Sequence, residues 1–216
     1  MPISTVLYAA AALSALLAIG ADWEERRHRA YYILKPLTTL LILGAALAQV
    51  PTAGGDYRFW IVLGLGLSLL GDICLMFEGD GWFTAGLASF LLAHLGFIVA
   101  FLQGISLGLP PAWTILVLAY AIGLCTWLLP RAGELRIPVA VYCLVLLAMV
   151  LAAAMRLQTL GNVSAKLALA GALLFVLSDS CLAIRQFGGP YRGAQLIILL
   201  SYWLAIGLIA ASISSF

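Results

Sequence analysis

The sequence contains very little charge and almost no histidine. Only 9% of its 216 residues are charged and two are histidine, whereas 64% are hydrophobic. In a typical soluble domain about a quarter of the residues are charged and under half are apolar. A chain of this length cannot bury such an apolar excess in one globular core. The composition therefore excludes a soluble enzyme, a nucleic-acid-binding protein and a disulfide-rich secreted module.

Patterns typical of metal sites and nucleophilic catalysis are also missing. His94 lies in an apolar run and His28 in a polar stretch, so no three-histidine zinc site can form. There is no G-x-S-x-G motif for a catalytic serine. The cysteines lie in apolar runs without CxxC or Cys/His spacing, and we interpret them as small packing residues. They are Cys74, Cys125, Cys143 and Cys181. The sequence therefore predicts neither a metal nor another cofactor.

The apolar residues fall into eight stretches, separated by turn residues or charges. A membrane-spanning helix needs about 20 mostly apolar residues, and each stretch is close to that length. The predicted spans are 3–21, 34–50, 58–77, 83–103, 111–130, 137–157, 165–186 and 193–215. We therefore predict an all-α, polytopic membrane protein in which residues 1–216 form a single domain of eight transmembrane helices.

A short motif occurs once in each half of the chain. Residues 70–75 read LGDICL in the third span, and residues 177–182 read LSDSCL in the seventh. Four crossings return a chain to its starting side, so the motif predicts a four-plus-four parallel repeat with halves of approximately 1–107 and 108–216. In such a repeat Asp72 and Asp179 would lie at the same depth, close to the ends of their helices.

The distribution of lysine and arginine predicts the orientation in the membrane. Eight spans place both ends of the chain on one side. The opposite side collects Arg26, Arg27, Arg29, Lys35, Arg131, Arg136, Arg185 and Arg192, and the side of the chain ends collects Arg58, Arg156 and Lys166. Cytoplasmic loops carry an excess of basic residues. We therefore predict that both ends are non-cytoplasmic.

Two acidic residues, Asp72 and Asp179, lie well within predicted spans. Placing Asp at such a position costs about 2.5–3.5 kcal/mol on insertion scales, and these residues usually face the bundle interior and mark function. Two neighbouring carboxyl groups do not both ionise easily, so the pair would share one proton. It would provide one acid and one base for a reaction through an oxocarbenium ion. The alternative is that each aspartate only bonds a neighbouring helix.

Other polar residues at nearby positions complete the predicted pocket. Lys35 begins the second span on the side of the two aspartates, and it either reaches inward or extends its stem to the interface. His94 is the only histidine in a span, and it either orients substrate or water or serves in packing. The other candidate supporting residues are Ser68, Ser178, Tyr142 and Tyr202. For the two tyrosines the alternative is again packing, or a position at the membrane interface.

Several of these residues together carry a family resemblance. The specific matches are Gly71-Asp72 with Leu75-Met76, and Ser178-Asp179 with Leu182-Ala183; weaker ones are Lys35-Pro36, Phe90, His94 and Tyr142. Over essentially its whole length the chain resembles the lysoplasmalogenase (YhhN-like) family of eight-helix membrane proteins. The resemblance implies hydrolysis of the vinyl ether bond of a lysoplasmalogen. The products would be a fatty aldehyde and glycerophosphoethanolamine or glycerophosphocholine.

The chemistry of this reaction agrees with the predicted pair of carboxyl groups. Hydrolysis of a vinyl ether begins with protonation of carbon and passes through an oxocarbenium ion, and either aspartate could be the acid. The predicted partners are the lysophospholipid substrate and the lipid bilayer, with no nucleic acid. The main alternative is a small proton-coupled transporter or channel that uses the same acid pair. A third possibility is a structural or sensory bundle whose acids only determine packing.

Overall fold

The computed structural model describes residues 2–21, 29–50, 56–106 and 108–214. Within these ranges the chain forms eight helices that are long and apolar enough to cross a membrane. They are α1 (Ile3–Ala21), α2 (Arg29–Ala48), α3 (Tyr57–Cys74), α4 (Asp80–Leu102), α5 (Thr114–Leu128), α6 (Arg136–Leu160), α7 (Val163–Gly188) and α8 (Ala194–Ala211). Short 3₁₀ turns extend the fifth and sixth spans to Thr114–Arg131 and Gly133–Leu160. The predicted all-α class with eight spans is confirmed.

Helix boundaries near the two aspartates differ from the predicted ones. Helix α2 begins at Arg29 rather than at residue 34, so Lys35 lies inside the helix and not at its start. Helix α3 ends at Cys74 rather than at residue 77, before a turn in which Gly79 has a φ of 117°. Asp72 therefore lies in the last turn of α3, whereas Asp179 lies roughly two turns before the end of α7. The two aspartates thus differ in their distance from the end of the helix, because α3 ends three residues earlier than predicted and α7 continues two residues further, to Gly188. An equal depth in the membrane stays a prediction.

Six of the described helices form a closed ring. Each packs on the next in the order α2, α3, α4, α6, α7, α8 and back to α2. Helix α1 packs outside the ring on α2 and α8, and α5 packs outside it on α6 and α7. Successive crossings alternate in direction, so α3 and α7 end on the same side of the ring. Within the ring, α2, α3 and α4 of the first half pack in the same order as α6, α7 and α8 of the second half. A four-plus-four repeat requires this order, but the repeat itself stays a prediction.

Glycines determine how closely some of the ring helices approach each other. A Cβ atom at Gly64 of α3 would lie 2.4 Å from the buried ring of Phe97 on α4. A Cβ atom at Gly171 of α7 would lie 2.8 Å from the backbone oxygen of Ala205 on α8. Because lipid is as apolar as the helix surfaces, helices in a membrane associate through such close packing. These glycines therefore position α3 and α7, which carry the two aspartates.

We expect Gly171→Ala to destabilise the protein by about 1–3 kcal/mol, since the added methyl group meets a backbone carbonyl that cannot rotate away. Gly207→Ala on α8 is the matched control, because a Cβ atom there has open space around it. Thermal unfolding of both variants in one detergent measures the effect. Equal melting temperatures for Gly171→Ala and Gly207→Ala would show that α7 and α8 have room for a methyl group at Gly171.

The end of the ring opposite to the aspartates is closed by buried polar contacts. Arg156 of α6 donates a hydrogen bond to the carbonyl oxygen of Gln103 at 2.8 Å, and its guanidinium lies 4.2 Å from the ring centroid of Tyr57. The Tyr57 hydroxyl pairs with that of Ser212 at 2.7 Å. Arg156, which the sequence assigns to this side of the membrane, is buried at the C-terminal end of α4, where the helix dipole favours a cation. Arg26, Arg27 and His28 lie outside the described residues.

Candidate active site

A cavity of about 300 Å³ lies at the end of the ring where α3 and α7 finish. Helices α2, α3, α4, α7 and α8 contribute to its walls. Its polar lining includes Lys35, Asp72, Glu78, Ser178, Asp179, Arg185, Gln195 and Tyr202. The structure thus brings Asp72 and Asp179, from the two halves of the chain, to one cavity. Such a polar space inside an apolar bundle is costly to form and typical of a functional site.

Asp72 is held by three side chains and is only 1% exposed. The ammonium nitrogen of Lys35 lies 3.6 Å from its Oδ1 atom. Its Oδ2 atom accepts hydrogen bonds from the Thr39 hydroxyl at 2.6 Å and from the Tyr202 hydroxyl at 2.7 Å. Lys35 is itself buried and points inward, so the alternative in which its stem extends to the interface does not apply. Asp72 is therefore surrounded by groups that stabilise negative charge.

Asp179 has a different environment in the same cavity. Its Oδ2 atom accepts a hydrogen bond from the Tyr142 hydroxyl at 2.6 Å. The Nε2 atom of His94 lies 3.9 Å from the same oxygen, which is too far for a direct hydrogen bond. The imidazole is fully buried, and its centroid lies 4.7 Å from that of the Phe175 ring. Asp179 thus contacts a phenol and an imidazole where Asp72 contacts an ammonium group.

The two candidate serines have local roles in the helix packing. Ser178 lines the cavity and donates a hydrogen bond to the carbonyl oxygen of Ile198 on α8, at 3.1 Å. Ser68 donates to the carbonyl oxygen of Gly64 in its own helix, at 2.9 Å. A serine in mid-helix commonly bonds back in this way. The structure therefore places Ser178 at the cavity, whereas the hydroxyl of Ser68 is directed to its own backbone.

Sequence reasoning missed Thr39 and a polar chain near the cavity mouth. Thr39 follows Lys35 by four residues, so the two share one face of α2, and this spacing was a usable signal. At the mouth, Arg185 donates a hydrogen bond to the amide oxygen of Gln195, and the amide nitrogen of Gln195 donates to the Tyr31 hydroxyl at 3.0 Å. For the polar chain at the mouth, the signal was Gln195 in the first turn of the mostly apolar α8.

The pattern of the YhhN family matches residues 30–213. This chain belongs to the YhhN family. The matched range includes every residue placed at the cavity above. No solved structure matches the chain.

Curated relatives of this YhhN protein come from animals and bacteria. Human lysoplasmalogenase TMEM86B is 32% identical over 180 residues, which cover 83% of this chain and 74% of the human protein. Pig lysoplasmalogenase TMEM86B is 34% identical over 165 residues, covering 75% of this chain and 66% of that protein. A lysoplasmalogenase of Mycobacterium tuberculosis is 36% identical over 157 residues, covering 69% and 58%. The chain thus spans somewhat less than two thirds of the pig and mycobacterial proteins.

Proposed function

We propose that this YhhN-family protein is a lysoplasmalogenase. It hydrolyses the vinyl ether bond of lysoplasmenyl-ethanolamine or lysoplasmenyl-choline to a fatty aldehyde and the corresponding glycerophospho-base. The names of the curated relatives support the activity. The observation that carries the chemistry is that Asp72 and Asp179 line one polar cavity within a bundle of apolar helices. A lysolipid has a polar head group and an apolar chain, so it fits a polar cavity among apolar helices.

Asp179 is the proton donor in this proposal. Its neighbours are the Tyr142 hydroxyl and the His94 imidazole, and it has more apolar surroundings than Asp72. A carboxyl group that borders an apolar space suits the role of the acid in such a pair. The Asp179 proton moves to the β-carbon of the vinyl ether, and the double-bond electron pair forms the new C–H bond. The positive charge is then shared between the α-carbon and the ether oxygen.

Asp72 is the carboxylate that faces this cation. The Lys35 ammonium and the hydroxyl groups of Thr39 and Tyr202 hold its negative charge in place. Water attacks the α-carbon and gives its proton to Asp72, which leaves a neutral hemiacetal. The hemiacetal loses its hydroxyl proton as the bond between the α-carbon and the ether oxygen breaks, and the leaving oxygen gains a proton. One water is consumed, and the proton on Asp72 replaces the one that Asp179 donated.

The polar mouth of the cavity is the proposed position of the head group. Arg185 and Gln195 lie there, and an arginine suits recognition of a phosphate. Basic residues described at this end of the bundle are Arg29, Lys35, Arg131, Arg136, Arg185 and Arg192. We therefore propose that the mouth is cytoplasmic and that both ends of the chain are on the opposite side.

The purified protein, incubated with lysoplasmenyl-ethanolamine in D₂O, tests the activity. We expect equal amounts of fatty aldehyde and glycerophosphoethanolamine, measured by mass spectrometry. After trapping by borohydride, the aldehyde should carry one solvent deuterium at the carbon next to the carbonyl, because protonation occurs on carbon. The matched control is the alkyl ether lysolipid, which lacks the double bond and should stay intact.

Two outcomes would overturn this proposal. One is intact lysoplasmenyl lipid after incubation with folded protein, for both head groups. The other is cleavage of the alkyl ether at the same rate as the vinyl ether. A proton-coupled transporter would instead move a solute across sealed vesicles and leave that solute chemically unchanged.

A further inference from the structure

An apolar crevice adjoins the polar cavity at Asp179. The crevice has a volume of about 60 Å³ and lies among α4, α5, α6 and α7. Asp179, Leu75, Phe83, Phe90 and Leu182 line both spaces. Tyr142, which donates its hydrogen bond to Asp179, lines the crevice but not the polar cavity. The carboxyl group proposed as the acid therefore lies where a polar and an apolar space meet.

The apolar path extends beneath α5 to the outside of the bundle. Leu124, Cys143 and Leu146 line the crevice and also a second hollow, of about 30 Å³, that reaches Tyr120. Tyr120 and Leu124 in turn line an open groove together with Trp127. Tyr120 is 48% and Trp127 37% exposed, so this groove lies on the outer surface of the bundle, which we expect to contact lipid. A continuous series of apolar walls thus leads from Asp179 to lipid.

Helix α5 is the least embedded part of this wall. It packs outside the ring, and only Thr114 and Leu128 among its residues are buried. Helix α4, on the other side of the crevice, has eight buried residues. An element with few buried contacts separates from its neighbours at low cost. The crevice can therefore widen by a movement of α5 that leaves the ring and the two aspartates in place.

We propose that the single hydrocarbon chain of the lysolipid lies in this crevice and leaves the bundle beneath α5. The first carbons of the chain lie beside Asp179, and the head group occupies the polar cavity. This inference rests on the proposed function, and it assigns the fatty chain a site and a direction. A ligand with one polar head and one apolar chain matches two joined spaces of these characters. The aldehyde keeps the chain and moves sideways into the bilayer, whereas the glycerophospho-base leaves through the polar mouth.

The variant Leu124→Trp tests the path, because Leu124 lines all three apolar spaces. The assay compares kcat/KM for a lysoplasmenyl lipid whose chain ends within the crevice with kcat/KM for one whose chain passes α5. We expect the ratio of kcat/KM for the long chain to kcat/KM for the short chain to fall by about tenfold in the variant, the usual size of a steric misfit in an apolar pocket. Ile122→Trp is the matched control on the same helix, since Ile122 is 55% exposed. It should leave the ratio unchanged.

A second measurement uses the unchanged protein, and so does not depend on the folding of a variant. An alkyl ether lysolipid with a diazirine in mid-chain is bound and irradiated, and the adducts are mapped by mass spectrometry. We expect adducts on Leu124, Cys143 or Leu146. Adducts only on lipid-facing residues of other helices, or an unchanged ratio in folded Leu124→Trp, would overturn the chain path. If the wild-type protein releases no aldehyde from either lipid, the proposed function itself fails.

Discussion

Asp179→Asn is expected to lower kcat for aldehyde release by about 10³-fold, the typical range for loss of a proton donor. Asparagine has nearly the shape of aspartate, and its carbonyl oxygen can still accept the hydrogen bond that Tyr142 donates at 2.6 Å. It has no acidic proton to transfer to the vinyl ether carbon. The binding cavity and the helix packing therefore stay, and the chemical step is lost.

The measurement is single-turnover aldehyde formation, with thermal unfolding measured on the same sample. Asp56→Asn is the matched control, because Asp56 is exposed at the start of α3, at the opposite end of the bundle. It should retain wild-type kcat. A folded Asp179→Asn protein with kcat within a few-fold of wild type would show that another group protonates the substrate.

Lys35→Met is expected to lower kcat by about 10²-fold, as when a preorganised electrostatic group is removed from an active site. The Lys35 ammonium is 3.6 Å from Asp72, and both side chains are buried. Without the ammonium group the buried carboxylate of Asp72 is no longer stabilised in its charged form. The cation that forms on the substrate therefore loses its counter-charge. Lys35 thus acts through Asp72 as a positioning residue.

Two comparisons separate this role from others. Lys35→Arg keeps the positive charge and should recover most of the lost kcat, whereas a purely structural role would leave both variants equally impaired. If Lys35 instead bound the substrate phosphate, KM would rise and kcat would change little. Steady-state kinetics of both variants therefore decides between the three roles.

The eight crossings and the two aspartates followed from the sequence because both depend on local properties. The length of an apolar stretch decides whether a helix spans the hydrocarbon, and a charge within such a stretch is costly wherever the helix packs. The same reasoning misplaced the ends of α2 and α3, because the first turn of α2 and the turn after α3 lie where polar and apolar residues mix. It also counted Arg156 only toward the orientation in the membrane and did not predict that its guanidinium is buried against Tyr57.

Only the tertiary structure decided which side chains meet. The pairing of Lys35 and Thr39 with Asp72, and of Tyr142 with Asp179, depends on the order of helices in the ring and on the rotation of each helix. In a soluble protein an apolar stripe would reveal that rotation, but here most residues on both the lipid-facing and the buried face of a helix are apolar, so the pattern is weaker. Helix order and rotation instead follow from close packing at positions such as Gly64 and Gly171, and from hydrogen bonds between distant residues. Composition and spacing determined the eight membrane-spanning helices and the two aspartates within them, and the packing of the helices decided which side chains can react together.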